Sequence, residues 1–138
     1  MQSDIEVMRY VTGKIATYDE SIEKLRSWID MYATKFSEWP FAVELKENNE
    51  FIGICGIIEE NEIGFRFLKK NWGLGYGTEI VDGVIRYARD LGLKNLIAEV
   101  IIENQSSYKI LKRAGFIIKE QQICKETRLP EYLMHLKL

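Results

Sequence analysis

Apolar positions recur along this chain with two periods. Ile22, Leu25, Trp28, Ile29, Tyr32 and Phe36 return at helical spacing behind Thr17 and Glu20, which have the spacing of a capping box. They predict a helix from about Tyr18 to Phe36. Ser3 and Glu6 repeat the capping spacing ahead of Val7, Met8 and Tyr10 and predict a short N-terminal helix. The period then shortens to two. Phe41 to Glu47, Glu50 to Glu59 and Glu62 to Leu68 read as three antiparallel strands, turned by Asn48-Asn49 and Glu60-Asn61. Gly53 and Gly56, inside the second strand, suggest a bulge or a close backbone approach. Ile80, Val81, Val84, Ile85, Ala88 and Leu91 predict a helix from Thr78 to Leu91, closed by Gly92. Asn95 to Ile102 is nearly all apolar, as in a central strand covered on both faces. A shorter helix follows, capped by Asn104 or Ser106 and ended at Ala114-Gly115-Phe116. Phe116 to Cys124 and Tyr132 to Leu138 read as a closing antiparallel pair. The strand–helix–strand passage implies a parallel pair with a right-handed crossover. The class is α/β (α+β): one domain over residues 1–138, with a mixed, mostly antiparallel sheet and helices on both faces.

The junction between the third strand and the long helix carries the strongest chemistry. It reads Asn71-Trp72-Gly73-Leu74-Gly75-Tyr76-Gly77-Thr78. Glycines at alternate positions let backbone N–H groups converge, and the helix start adds unpaired donors and partial positive charge. A plain strand-to-helix turn needs one glycine. Three in five residues favour a phosphate or pyrophosphate site. A dinucleotide-binding fingerprint is disfavoured. Its glycines are spaced G-x-G-x-x-G and open the fold, whereas here G-x-G-x-G follows a meander.

Composition narrows the classes further. The net charge is −2 with the signs well mixed, so there is no general basic footprint for nucleic acid. No apolar run approaches membrane-spanning length, and no signal peptide is evident. Cys55 and Cys124 lack metal or redox spacing and read as reduced thiols of a cytoplasmic protein. With one histidine, His135 on the last strand, a histidine-rich metal site or a serine–histidine triad is disfavoured. No metal is expected.

Three segments together, Glu62–Leu68, Trp72–Glu79 and Asn104–Phe116, resemble the GNAT superfamily of acetyltransferases, most closely its ribosomal-protein N-terminal acetyltransferase branch. The likeness runs from about Ser3 to Leu138. It implies acetyl-CoA as co-substrate, with its pyrophosphate on Trp72, Gly73, Leu74, Gly75, Tyr76, Gly77 and Thr78. Phe65, Phe67 and Leu68 inherit pairing with the pantetheine arm. Asn104 and Ser107 inherit contacts near the thiol, with Tyr108 beside them. Two positions depart from the family pattern. Trp72 stands where Arg or Gln is usual, and Leu111 stands where many members carry a tyrosine general acid.

Acetyl transfer to an amine needs a proton acceptor, an oxyanion donor and a route for the thiolate. Ser107 is the candidate for the thiolate, with helix capping as its structural alternative. A backbone N–H near Phe67 is the candidate oxyanion donor. Glu62 and Glu99 are the candidate bases, with Glu44 third. Glu62 could instead be a turn-flanking charge, and Glu99 a buried partner to a Lys or Arg. A water chain needing no single base is a further route. The expected activity is transfer of acetyl to the amine of a protein N-terminus or small molecule, by direct attack in a ternary complex. The alternative is a non-catalytic acyl-CoA-binding or regulatory module on the same fold.

Relatives also begin with a strand about twenty residues before the equivalent of Ser3, and this strand is expected to be missing. Phe41 to Glu47 would then be a sheet edge, which tends to recruit another strand unless covered. Two covers are expected: Val11 to Ala16 folding back, or a second subunit. Gly13 and Lys14 make the local segment a poor strand, so a homodimer is favoured.

Overall fold

The structure is a computed structural model, and it describes residues 1–34, 40–58 and 61–138. Two helices come first, α1 (Ile5–Met8) and α2 (Tyr18–Thr34). A meander follows: β1 (Phe41–Glu44), β2 (Phe51–Ile58) and β3 (Glu62–Phe67). Next come α3 (Tyr76–Asp90), β4 (Asn95–Ile101), α4 (Gln105–Arg113), β5 (Ile117–Ile123) and β6 (Pro130–Lys137). The strands form one sheet in the order β1-β2-β3-β4-β6-β5. Only β3 and β4 run parallel, and β6 inserts between β4 and β5.

Local chemistry explains most boundaries. Thr17 and Glu20 form the reciprocal capping box: the Thr17 N–H donates to Glu20 Oε2 at 2.7 Å, and the Glu20 N–H donates to Thr17 Oγ1 at 3.3 Å. At α1 the cap is Asp4, not Ser3, and its carboxylate accepts from the Glu6 N–H. The expected end of α2 at Phe36 and the ends of the β2–β3 turn at Glu59 and Glu60 lie outside the described residues. Asn49 adopts φ 58° at the β1–β2 turn, the left-handed conformation that asparagine tolerates. Gly53 is the close approach: a Cβ there would stand 2.3 Å from the Arg66 carbonyl oxygen. Helix α4 closes in a Schellman motif, with the Phe116 N–H on Leu111 O at 3.1 Å and the Gly115 N–H on Lys112 O at 3.1 Å. The buried Phe116 joins the core.

One side of the sheet carries α3 and α4. Val81, Val84, Ile85 and Ala88 bury the inner face of α3 against Val43, Ile57, Ile63, Leu96, Ala98 and Met134. Leu91, expected on that face, is 45% exposed, because it is the C-cap and the chain turns away there. The α1 and α2 side is marked by Met8, which touches Arg66, and by α2 residues that face Ala42 and Ile54 across an open cleft of about 560 Å³.

β1 is shorter than expected and forms one edge of the sheet, with no partner on its outer side among the described residues. Val11 to Ala16 does not fold back along it. The Val11 and Thr12 N–H groups turn onto Met8, and the Ala16 N–H donates to Gln2 O at 3.0 Å.

Candidate active site

Among the described residues β3 and β4 meet at one pair, Glu62 with Ile97, and then separate. On its other edge β3 stays hydrogen-bonded to β2. The Leu68 N–H donates to Ile52 O at 2.8 Å, so in an antiparallel ladder the N–H and C=O groups of Phe65 and Phe67 point the other way, into the gap. The two rings themselves pack in the core. Leu68 differs from Phe65 and Phe67 in its backbone. Its N–H donates to Ile52 O and its carbonyl accepts from the Asn71 N–H, so these groups face away from the gap.

The glycine loop caps the gap at its open end. A 3-10 turn, Lys69–Asn71, leads out of β3. The Trp72 indole Nε1 donates to Phe67 O at 3.1 Å and ties the loop to the strand. Asn71 is buried beneath the loop, its Oδ1 without a partner among the described residues. Gly73 and Gly75 have φ of 73° and 88°, and Gly75 is the left-handed N-cap of α3. The N–H groups of Gly73, Leu74, Gly75, Tyr76 and Gly77 make no backbone hydrogen bond among the described residues. That run of free donors at a helix start is what an anionic group requires. The Thr78 N–H is not part of it, because α3 begins two residues earlier than its apolar pattern suggests and this group donates to Gly75 O at 3.1 Å. Gly77 does different work. A Cβ there would stand 2.7 Å from Ile110 Cδ1, so this glycine lets α3 and α4 close on each other.

Helix α4 starts where β4 ends. Asn104 is its N-cap, accepting from the Ser107 N–H at 3.3 Å through Oδ1. The half-buried Ser107 hydroxyl has no hydrogen bond among the described residues, which leaves it available for other work. We expect Ser107→Ala to lower kcat about tenfold while the affinity for acetyl-CoA stays within about twofold. Steady-state kinetics with calorimetry checks this, and a change in KM alone would leave Ser107 as a binding residue. Tyr108 lies against Tyr132, ring centroids 5.6 Å apart, with Lys112 Nζ 5.8 Å above its ring. Leu111 is 2% exposed and points into the core, so this position offers no proton donor to the gap.

The acidic residues stand on both strands of the gap, Glu62 on β3 and Glu99 on β4. Continuing from Glu62 and Ile97 in steps of two places Gly64 opposite Glu99 and Arg66 opposite Ile101, all on the α1–α2 side of the sheet. Two candidate bases, Glu62 and Glu99, therefore share one face of the gap. Glu44 does not: β2 and β3 stand between it and the gap. His135 pairs with Ile97 and Ile117, on the strand beyond β4. Among the described residues the hydrogen-bond partner of Glu99 is Gln122 rather than a Lys or Arg, although Lys125 is near enough to lower its pKa slightly. Gln122 Nε2 donates to Glu99 Oε1 at 3.2 Å and to Glu131 Oε1 at 2.9 Å. Glu99 is exposed as a residue, but partial desolvation of its carboxyl and the nearby Glu131 raise it above its ordinary value. Glu131, 4% exposed, escaped the sequence reading because it follows Pro130 in a polar stretch that looks like loop. The polar–apolar alternation of Glu131 with Tyr132 was the available signal.

With this geometry in view, the comparisons with known proteins decide the family. The acetyltransferase (GNAT) domain matches residues 1–117. The chain belongs to the GNAT acetyltransferase family. It is 31% identical over 121 residues to the uncharacterised N-acetyltransferase p20 of Bacillus licheniformis, covering 83% of this chain and 68% of that protein. To the uncharacterised N-acetyltransferase YoaA of Bacillus subtilis it is 29% identical over 109 residues, or 70% of this chain. The chain spans 60% of the length of YoaA. In three dimensions it resembles the spermidine N-acetyltransferase of Vibrio cholerae, in complex with CoA and spermine, with a TM-score of 0.81 at 18% identity over 99% of this chain and 85% of that one. In this GNAT domain the free amides of the glycine loop, the inward-pointing N–H and C=O of Phe65 and the N–H of Phe67 have the chemistry to hold a pyrophosphate and an amide-bearing arm. Among the described residues, no helix is long and apolar enough to cross a membrane.

Proposed function

We propose that this GNAT domain transfers the acetyl group of acetyl-CoA to an amine in a ternary complex. The observation that carries the reading is the juxtaposition of the free amides of residues 73–77 with the gap between β3 and β4, and of Glu99 on the far lip of that gap. Acetyl-CoA supplies an activated acyl group. The loop amides neutralise its pyrophosphate, and the Phe65 and Phe67 backbone orients its arm. The amine enters from the α1–α2 side and loses its proton to Glu99, whose raised pKa suits a base. Its nitrogen bonds to the acetyl carbon, the Phe67 N–H stabilises the oxyanion, and the C–S bond breaks. The Ser107 hydroxyl donates a hydrogen bond to the departing thiolate. Glu62, at the apex of the gap, orders water on the same face.

The acceptor is a peptide N-terminus or a small-molecule amine. The motif likeness to the ribosomal-protein branch supports the first. Likeness to a protein that by its name acetylates spermidine, and 30% identity to the FsC-acetyl coenzyme A-N(2)-transacetylase of Aspergillus fumigatus, support the second. Leu111, in place of a tyrosine acid, favours a second reading, a non-catalytic acyl-CoA-binding module. Thiol release from acetyl-CoA with an amine panel separates the two. Amine-dependent release is expected, and acetyl-CoA binding without release would leave the module. We further propose cytoplasmic residence and a two-fold dimer through the open edge of β1. Light scattering is expected to report a dimer at high micromolar concentration, and a monomer there would remove that part.

A further inference from the structure

Arg66 is a half-buried guanidinium without a carboxylate partner among the described residues. Its Nη1 donates to Met8 Sδ at 3.3 Å, and thioether sulfur is a weak acceptor. No other partner serves its five N–H donors among the described residues. The acidic side chains of the neighbouring segments are engaged elsewhere: Glu6 pairs with Lys69, and Glu103 pairs with Arg9 at 3.6 Å. Burial alone lowers the Arg66 pKa, as expected of a charge taken from water without compensation. An arrangement of this kind is costly unless a partner arrives, since a desolvated charge needs pairing and hydrogen bonds. The position of Arg66 says where that partner comes from. It lies on the acceptor side of the gap, one rung beyond the level of Gly64 and Glu99, about 7 Å along the strand. The same rung continues through Ile54 to Ala42, and both line the apolar cleft beneath α2, with Leu25, Trp28 and Phe51.

We propose that Arg66 binds the carboxylate of the acceptor, and that the acceptor is an α-amino acid whose apolar side chain enters the cleft under α2. This deepens, and rests on, the acetyl-transfer reading. The planar guanidinium fork matches a carboxylate bidentately. With the carboxylate there, the α-amine falls toward Glu99 and the gap. A peptide N-terminus, which lacks an α-carboxylate at that distance, fits less well than a free amino acid.

The test uses products, so that it reads binding without turnover. Calorimetry on the coenzyme A-loaded protein compares N-acetyl-L-phenylalanine with N-acetylphenethylamine, which lacks the carboxylate. The wild type is expected to bind the acid at least about tenfold more tightly, as a charge-assisted bond implies. Arg66→Met keeps the apolar stem and is expected to erase that preference while leaving the affinity for the neutral amide within about twofold. Arg66→Lys is expected to retain part of it, which guards against a variant that fails to fold. Equal affinities in the wild type, a preference that survives Arg66→Met, or no binding of either compound would overturn the proposal. Thiol release with L-phenylalanine is read separately. Discrimination without release removes the transfer reading and leaves the carboxylate site, and release with no discrimination removes only the site.

Discussion

Gly75→Val is expected to weaken acetyl-CoA binding at least about 100-fold in a protein that still folds. Gly75 holds φ 88° as the N-cap of α3, a conformation unfavourable for a β-branched residue. A Cβ at this position would meet no protein atom within 4 Å. The valine methyls would therefore fill the space in front of the free amides rather than clash with the core. Hydrogen bonds from amides to a charged phosphate are each worth about 1.5–3 kcal/mol, so loss of two suffices for that weakening. The backbone strain should cost about 1–3 kcal/mol in addition, seen as a lowered Tm with an unchanged circular dichroism spectrum. Calorimetry with acetyl-CoA reads the outcome. Unchanged affinity in the folded variant would remove the loop from the cofactor site.

Glu99→Gln is expected to lower kcat about 100-fold at neutral pH, the usual worth of a positioned base. The pH profile distinguishes this from a loss of shape. Burial and Glu131 raise the Glu99 pKa, so the wild-type rate should climb as pH rises from the ordinary carboxylate range through the raised value. Glu99→Gln should lose that limb. Stability should move the opposite way. A carboxyl whose folded pKa is raised holds its proton more tightly when folded, so its contribution is present at acid pH and is lost as pH rises through the same window. The effect should be small, because Glu99 is largely exposed, and Glu99→Gln should flatten it. A rate loss below about threefold would assign the proton to ordered water.

Much of this could be read from residue order, and the failures have physical causes. The capping box at Thr17, the left-handed Asn49, the close approach at Gly53 and the Schellman end at Gly115 are short-range effects, fully specified by a few neighbouring residues. The start of α3 was misplaced because its first turn carries glycines and a tyrosine rather than the apolar stripe that marks the rest. The free amides of residues 73–77 were legible as a glycine pattern. The commitment of the Thr78 and Leu68 N–H groups was not, because it depends on where a helix and a ladder end. Glu99 was legible as a carboxylate in an apolar strand, but its bridge through Gln122 to Glu131 joins three different strands, and such register is invisible along the chain. Arg66 was passed over for the same reason. It looks like an ordinary strand cation until the carboxylates around it are seen to be engaged elsewhere.

The most direct measurement is the electron density of a crystal soaked with coenzyme A. The pyrophosphate is expected on the N–H groups of Gly73 to Gly77. The pantetheine arm should lie along the Phe65 and Phe67 backbone, and the thiol should reach the gap beside Ser107. Coenzyme A bound away from the glycine loop, or with its arm outside the gap between β3 and β4, would contradict the acetyl-transfer site.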